Sequence, residues 1–232
     1  MNILLDRIKY GKETVRNPLY ENENSYGKIE VDYSKCKLCK DCIKHCIVDA
    51  IKIENEKITI DSKGCIYCGN CIDVCQYDAL KNTHNYKIAE IGDKLREEIY
   101  KKFNRSLILR SVDTGSCNAC MLELSATTNN FYSISKYGVN FAASPRHSDG
   151  IVVTGPVPLN MKDALIKTYY AMPQPRLVIA VGSCACDGGI FKDTYANCES
   201  LNKILPVDLY IPGCPPSPQA IIYGLLKLMQ RI

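Results

Sequence analysis

"KCKLCKDCIKHCIVDAIK", residues 35–52, is repeated at a constant offset as "GCIYCGNCIDVCQYDALK", residues 64–81. Every cysteine of the first copy matches a cysteine of the second, and an isoleucine, an Asp-Ala pair and a lysine match as well. Both copies have the spacing C-x-x-C-x-x-C-x-x-x-C. The first third of the chain is therefore an internal duplication built around cysteine.

This spacing is typical of ligands to iron–sulfur clusters. Three cysteines that are two residues apart wrap a tight loop around three corners of a cube, and the fourth points away to serve the other cluster. The two copies therefore predict two [4Fe–4S] clusters that exchange their fourth ligands. The first cluster is assigned to Cys36, Cys39, Cys42 and Cys75, and the second to Cys65, Cys68, Cys71 and Cys46.

Other uses of these thiols fit less well. A zinc ion takes four thiolates and would not explain eight at a doubled spacing, and cysteines this close together could not all reach disulfide geometry. The segment resembles a bacterial-type two-cluster ferredoxin, although Ile47 and Gln76 stand where that family usually has proline. His45 is expected to be a surface residue, and residues 50–60 alternate like a hairpin around Glu54-Asn55.

Composition limits the class of protein. The 232 residues allow one modest core and a small cofactor-stabilised domain. The N-terminus turns polar after Leu5, so no secretory signal is expected, and the 14 cysteines then suggest metal ligands in a reducing compartment. No apolar run approaches the roughly 18 residues of a membrane span. A dispersed net charge of +4 argues against nucleic-acid binding.

The stretch after the repeat has helical periodicity. Residues 87–103 predict an amphipathic linker helix whose apolar stripe could dock on its own chain, which is the favoured interpretation, or on a partner subunit. The stripe consists of Ile88, Ile91, Leu95, Ile99 and Phe103. The predicted organisation is an N-terminal extension (1–27), a two-cluster ferredoxin-like α+β domain (28–85), a linker (86–104) and a second domain (105–232).

The second domain alternates short β-branched runs with helical stretches. The expected strands are residues 106–112, 139–142, 150–155, 176–182 and 207–212, and the expected helices are 119–128, 159–171 and 219–230. This order predicts a parallel sheet covered on both faces, in an α/β domain of flavodoxin-like type.

Four further cysteines follow three of these strands. Cys117 and Cys120 follow the first strand, Cys184 follows the fourth and Cys214 the last. Loops at the carboxyl ends of parallel strands meet at one edge, so these thiolates predict a third [4Fe–4S] cluster. A disulfide or half a zinc site at the C-x-x-C pair would leave the other two cysteines unexplained.

Two cysteines remain outside the predicted clusters. Cys186 lies close enough to Cys184 in sequence to compete for the same corner of the cube. Cys186 and Cys198 are instead interpreted as small apolar residues, which is how free cysteine usually behaves in a fold.

Four motifs carry a family resemblance: "DTGSCNACMLELSA", "SPRHSDGIVVTGPVP", "IAVGSCACDGGIF" and "VDLYIPGCPPSPQAII". Together they resemble the small subunit of membrane-bound, energy-converting [NiFe] hydrogenases, which is related to the complex I subunit that holds the cluster next to quinone. The C-x-x-C pair is similar to the hydrogenase branch, although Ala119 and Met121 depart from its usual glycine and acid. The lead-in to the repeat is similar to the ferredoxin subunit of the same complexes, so the chain looks like a fusion of two subunits.

The resemblance implies an electron-relay subunit with no catalytic residue of its own. Its third cluster would face a large subunit that holds the nickel site, and its ferredoxin clusters would receive electrons from a ferredoxin-type donor. Such a chain would be cytoplasmic and bound to the membrane through partner subunits. One alternative is a nickel-free relay to quinone or another acceptor, and another is a stand-alone electron carrier. Neither nucleotide-binding motif, G-x-G-x-x-G nor G-x-x-x-x-G-K-[ST], is found in the sequence.

Three charged or titratable residues near these motifs have open roles. Glu123 could lie on a proton path, or it could cap or pair at the start of a helix. Arg146 and His147 could tune the third cluster through contacts with its ligands, or they could simply position their loop.

Overall fold

A computed structural model describes residues 3–11, 15, 17–20, 27–92, 103, 105–198 and 200–232. A first helix, α1 (Ile3–Tyr10), precedes two packed domains. No helix in these described ranges is both long enough and apolar enough to cross a bilayer.

The first domain is built with the symmetry of the repeat. Strand β1 (Ile29–Val31) pairs antiparallel with β4 (Leu80–Asn82), and β2 (Ile51–Glu54) forms a hairpin with β3 (Lys57–Ile60). Each copy contributes one short helix, α2 (Asp41–Lys44) or α3 (Asn70–Asp73). The expected ferredoxin-like α+β arrangement is present.

The predicted hairpin is confirmed, with its turn one residue later than expected. Asn55 and Glu56 occupy the turn with φ of 49° and 58°. A two-residue hairpin turn with both φ values positive matches the right-handed twist of the flanking strands.

The second domain is an α/β unit around a six-stranded sheet. Its parallel strands are β6 (Leu107–Asp113), β7 (Val139–Phe141), β8 (Gly150–Thr154), β9 (Leu177–Val181) and β10 (Leu209–Ile211). The order across the sheet is β5-β10-β9-β8-β6-β7, and β5 (Glu90–Ile91) pairs antiparallel at one edge. The five parallel strands alone have the order 2-1-3-4-5, which occurs in doubly wound sheets.

Helices cover both faces of this sheet. They are α4 (Ala119–Ala126), α5 (Leu159–Ala171), α6 (Ser183–Asp187) and α7 (Pro218–Leu228). Strand residues alternate between two cores: Val152 and Ile179 pack on the side of α7, while Ile151 and Val153 pack on the side of α5. Burial on both faces explains why these strands are nearly continuous apolar runs.

The linker prediction is wrong over residues 87–92. These residues are extended, and β5 adds to the free edge of β10 through the pairs Leu209–Ile91 and Tyr210–Glu90. Ile88 is buried in the core of the second domain, so this segment belongs to that domain rather than to a linker. An unpaired sheet edge offers backbone hydrogen bonds that outweigh a weak local helix preference. Residues 93–102 of the predicted helix, including Leu95 and Ile99, lie outside the described residues, whereas Phe103 is described and buried in the core of the second domain.

Candidate iron–sulfur centres

The first predicted set of cysteines lines one hollow of the ferredoxin-like domain, which contains Cys36, Cys39, Cys42 and Cys75. Cys42 lies in α2 and is buried. Burial raises the pKa of the Cys42 thiol, and the nearby thiolates of Cys39, Cys36 and Cys75 raise it further. The fold therefore brings together three cysteines of the first copy and one of the second.

The second set lines the symmetry-related hollow with Cys46, Cys65, Cys68 and Cys71. Burial, followed by the charges of Cys65 and Cys68, raises the pKa of Cys71 to about 12. Burial also raises the pKa of Cys65 to about 11. The fourth member of this set comes from the first copy, so each hollow combines three cysteines of one copy with one of the other.

Local backbone geometry shapes the two loops in the same way. In the first copy Leu38 and Lys40 have φ of 54° and 69°, and in the second Tyr67 and Gly69 have φ of 57° and 84°. These left-handed turns fold the chain tightly around the hollow. The amide of Ala50 donates to Cys46 Sγ at 3.3 Å, and that of Ala79 donates to Cys75 Sγ at 3.3 Å. Such N–H···S bonds are among the features that set cluster potential.

The third set meets at the carboxyl edge of the parallel sheet. Burial raises the pKa of Cys120 to about 12, and the thiolates of Cys184, Cys214 and Cys117 also raise it. Cys184 is affected in the same way, with burial as the main cause and a pKa of about 11. Loops that follow β6, β9 and β10 thus bring together four cysteines that are far apart in the chain.

Glycines make room for two of these sulfurs. Gly182 has φ of 92°, and a Cβ added there would lie 2.4 Å from Cys120 Sγ. A Cβ at Gly189 would lie 3.2 Å from Cys184 Sγ. A side chain at Gly182 would both strain the backbone and displace a sulfur.

The donor sets fit iron–sulfur clusters. None of the 14 cysteines, all of them among the described residues, forms a disulfide. In the described ranges no three or more His, Cys, Asp or Glu side chains converge in a way that could hold a single metal ion. Four soft thiolates around a hollow match a four-iron cube held at its corners. Bound iron favours the thiolate form, which offsets the burial, and after it the mutual repulsion, that raise these pKa values.

An unpartnered hydroxyl also lies at the third set's edge of the sheet. Thr154 ends β8, and its Oγ1 is buried without a hydrogen-bond partner among the described residues. Thr154 shares a sheet face with Val152, which packs in the same core as Cys120.

The three sets follow one another in space. Cys42 lines the first hollow and Cys46, four residues later, lines the second, so the first and second sets are neighbours. Ser183, which directly precedes Cys184, donates to the Cys65 carbonyl, so the second and third sets are neighbours. The second set therefore lies between the other two.

Direct contacts hold the two domains together at this junction. The Ser183 hydroxyl donates to the Cys65 carbonyl at 2.6 Å, and Tyr67 packs against the core of the second domain. Lys63 lies 3.1 Å from a Glu90 carboxylate oxygen and 4.3 Å from the centre of the Tyr210 ring. Burial lowers the pKa of Lys63, but the hydrogen bond and charge of Glu90 outweigh it and raise the pKa.

Three residues that were expected not to be cluster ligands lie in positions consistent with that expectation. Cys186 is buried in the core beneath α5, and its thiol lies 3.7 Å from the Ala180 carbonyl. Cys198 is partly buried, and its amide donates to the Val157 carbonyl. His45 is exposed, and its Nδ1 lies 2.9 Å from the Asp41 carbonyl.

Two candidate roles exist for Glu123, and two for the pair Arg146 and His147. Glu123 lies one turn after Cys120, it has no ion pair among the described residues, and burial raises its pKa. Arg146 and His147 are exposed in a short turn that packs on β6 and α5. Among the described contacts neither reaches a cysteine set, which favours a role in positioning the loop.

Sequence analysis missed the residues that join the sets. Ser183, Tyr67 and Lys63 belong to no recognised ligand motif, and their partners are distant in the chain. Gly182 carried a weak signal, since it stands between a buried strand and a predicted ligand.

Two known families match the two domains. Residues 117–228 match the family described as NADH ubiquinone oxidoreductase, 20 Kd subunit, and residues 28–76 match the 4Fe-4S dicluster domain. A probable membrane-bound hydrogenase subunit, mbhJ, of Pyrococcus furiosus is 35% identical over 140 residues, which are 60% of this chain and 84% of that protein. The chain belongs to the 20 Kd subunit family. It combines this family with a dicluster ferredoxin domain, as the sequence resemblance predicted.

Other relatives serve different complexes. An NADH-quinone oxidoreductase subunit of Geotalea uraniireducens is 46% identical over 113 residues, which are 49% of this chain and 66% of that protein. The match thus spans just under two thirds of that relative's length. A chain in the structure of the membrane-bound sulfane sulfur reductase, an archaeal respiratory membrane complex, is 33% identical with a TM-score of 0.50. That alignment covers 59% of this chain and 75% of the other.

Proposed function

We propose that this chain is the electron-relay subunit of a membrane-associated, energy-converting [NiFe] hydrogenase. It carries electrons through three [4Fe–4S] clusters between a ferredoxin-type donor and the NiFe site of a separate large subunit. The active site lies on that partner, and this chain contributes no catalytic residue. The complex sits on the cytoplasmic face of the membrane, to which this chain is bound through its partners.

The spatial order of the three cysteine sets is the observation that carries this proposal. Each set has the four thiolates that one [4Fe–4S] cluster requires, and the second set adjoins both others through the short segment that carries Cys42 and Cys46 and through the Ser183–Cys65 hydrogen bond. The clusters would supply one-electron transfer. The protein would contribute their spacing, the N–H···S bonds, and the contacts that keep the two domains together.

Both ends of the relay have exposed cysteines, and the second set has one as well, Cys68. The first set lies at the end of the line away from the second domain, and its Cys39 is exposed. The third set lies at the other end, where Cys117 and Cys214 are also exposed. Electrons would enter at one exposed end and leave at the other, where a large subunit would cover the third cluster.

A nickel-free relay is the second candidate. It is supported by the identity to the NADH-quinone oxidoreductase subunit and by the similarity to the sulfane sulfur reductase complex. The partner would then pass electrons to quinone or another acceptor. The relay within this chain would be the same, and only the acceptor in the large subunit would differ.

Purification of the native complex without air, followed by metal analysis and EPR of the reduced sample, tests both candidates. We expect about twelve irons on this chain, the sum for three four-iron clusters, and nickel on a co-purifying large subunit. About twelve irons without nickel would favour the second candidate. About eight irons, with Cys117 and Cys120 in a disulfide or bound to zinc, would contradict the assignment of the third cluster.

A matched pair of cysteine variants assigns the third cluster to its residues. Cys214→Ser should lower the iron content by about four atoms and remove one EPR signal. Cys198→Ser should change neither. Equal iron content in the two variants would contradict the ligand assignment.

A further inference from the structure

The two cluster loops of the repeat have different surroundings. Leu38 and Tyr67 occupy the same position, between the first two cysteines of each copy, and both are left-handed, with φ of 54° and 57°. Tyr67 packs against the core of the second domain. Leu38 is 37% exposed to solvent. One loop tip is therefore docked on protein within this chain, while its equivalent is exposed in the part of the chain that the structure describes.

Charge distinguishes the undocked copy further. Its loop and short helix carry four exposed lysines: Lys35, Lys37, Lys40 and Lys44. We call these four residues the lysine collar. The matching positions in the docked copy are Gly64, Ile66, Gly69 and Asp73. The duplication thus provides an internal comparison, in which only the solvent-facing copy is basic.

Nearby acids offset the collar only in part. Lys44 lies 3.7 Å from the Asp41 carboxylate, which is the only acidic residue between positions 35 and 46. Lys35 faces Asp32, whose pKa is lowered mainly by hydrogen bonds from Ser34 and in part by this lysine. With four lysines against one acid over 35–46, the surface keeps an excess of positive charge.

The collar also adjoins the first cysteine set directly. Lys37, Leu38 and Lys40 line the same hollow as Cys39, and Cys39 itself is exposed. In the second hollow the equivalent lining residues include Ile66 and Gly69. A protein seated on the collar would therefore touch the loop that holds the first cluster.

We infer that the lysine collar, with Leu38 at its centre, is the docking surface for an acidic protein that delivers single electrons to the first cluster. This inference rests on the proposed relay and adds the entry surface and the partner's charge. Opposite charge steers diffusional encounter and speeds association by 10–10³-fold. A single exposed leucine offers little apolar area, which suits the small interfaces of transient electron transfer rather than a permanent subunit contact.

Stopped-flow reduction of the cluster-loaded full chain tests this surface. The probe is a reduced, acidic plant-type [2Fe–2S] ferredoxin, and the reference reductant is the small cation reduced methyl viologen. The test variant is Lys37→Glu with Lys44→Glu. The matched control is Lys162→Glu with Lys167→Glu on α5, where both lysines are exposed and the change in net charge is the same.

At low ionic strength we expect ferredoxin to reduce the test variant at least about tenfold more slowly than the wild type. The wild-type rate should fall as salt rises, and the variant's salt dependence should be flatter. The control should stay within about twofold of the wild type, and viologen should reduce all three proteins at similar rates. The ferredoxin rate of the double Lys→Gln variant at the same positions should lie between those of the wild type and the Lys→Glu variant. A graded effect of this kind would follow charge and would not be expected from misfolding.

Two results would overturn the inference. One is a ferredoxin rate and salt dependence that are the same in the test variant and the wild type, or an equal loss in the control. The other is protection of the collar lysines from acetylation in the native complex without any carrier, since a permanent subunit would then cover them. Failure of the relay itself is distinguishable, because ferredoxin would then reduce the first cluster but not the third in the wild type.

Discussion

The Ser183 hydroxyl donates a 2.6 Å hydrogen bond to the backbone carbonyl of Cys65, and this bond joins the second cysteine set to the third. Ser183 directly precedes Cys184 and is only 1% exposed. Its amide donates to the carbonyl of Gly213, the residue before Cys214. One buried serine therefore contacts the backbone next to cysteines of both sets.

Ser183→Ala should loosen this junction. The variant leaves the Cys65 carbonyl without this donor, so the free energy of unfolding should fall by about 1–2 kcal/mol. Denaturant unfolding measures that loss, and EPR of the reduced protein should show weaker spin interaction between the second and third clusters. Ser135→Ala, at an exposed position, is the control and should change neither quantity. Identical EPR spectra in the two variants would show that Ser183 does not affect the interaction between the second and third clusters.

Gly182→Ala should prevent assembly of the third cluster. Its Cβ would lie 2.4 Å from Cys120 Sγ at a φ of 92°, so the sulfur must move. We expect iron content to drop by about four atoms, the content of one cluster.

Gly69→Ala is the matched control for this change. Gly69 has φ of 84°, but nothing lies within 4 Å of an added Cβ, and the first copy already accommodates Lys40 at this position. It should keep its iron and lose only about 1 kcal/mol from backbone strain. A full iron complement in the Gly182 variant would show that the sulfur tolerates displacement.

Equivalent loop residues should differ sharply in their effect on stability. Tyr67→Ala removes a ring packed against the larger core, and we expect a loss of about 2–4 kcal/mol. Leu38→Ala changes an exposed side chain at the same repeat position and should cost at most about 0.5 kcal/mol. Thermal and denaturant unfolding compare the two. Equal losses would mean that Tyr67 does not anchor the domains.

The pair of Lys63 and Glu90 should couple the domains weakly. A double-mutant cycle with Lys63→Met and Glu90→Gln should give about 0.5–1 kcal/mol at low salt and less at high salt, because both side chains are partly exposed. A coupling of zero at low salt would contradict a stabilising interaction between Lys63 and Glu90.

The same cycle has a defined pH dependence. Because the pKa of Lys63 is raised in the folded state, the coupling should be fully present below the ordinary lysine pKa of about 10.4 and be lost as pH rises through the folded value. Repeating the cycle at about pH 7, 9 and 11 checks this sign. A coupling that grows with pH would contradict it.

Much of the architecture was predictable because it depends on neighbours in the chain. The C-x-x-C-x-x-C spacing places three sulfurs on one loop, and runs such as 150–154 and 177–181 are apolar enough to require burial on both faces. The grouping at the sheet edge followed from a general rule on parallel strands. Of the predicted helices, 159–171 matches α5 at both ends.

The secondary structure of the predicted linker could not be derived from its own residues. Ile88, Ile91 and Leu95 have helical spacing, yet residues 90–91 form a strand because the free edge of β10 lies beside them. No pattern within 87–103 contains the position of that edge. A competing tertiary hydrogen-bond partner decided the outcome.

By itself, the sequence determined which cysteines belong together, since ligand spacing and strand order are local properties of the chain. Only the tertiary structure decided that the second set lies between the other two, that Tyr67 is docked while Leu38 is exposed, and that Ser183 reaches Cys65. Those relationships join residues as far apart as positions 65 and 183. They depend on how the two domains pack, and packing is set by contacts over the whole chain rather than by any one segment.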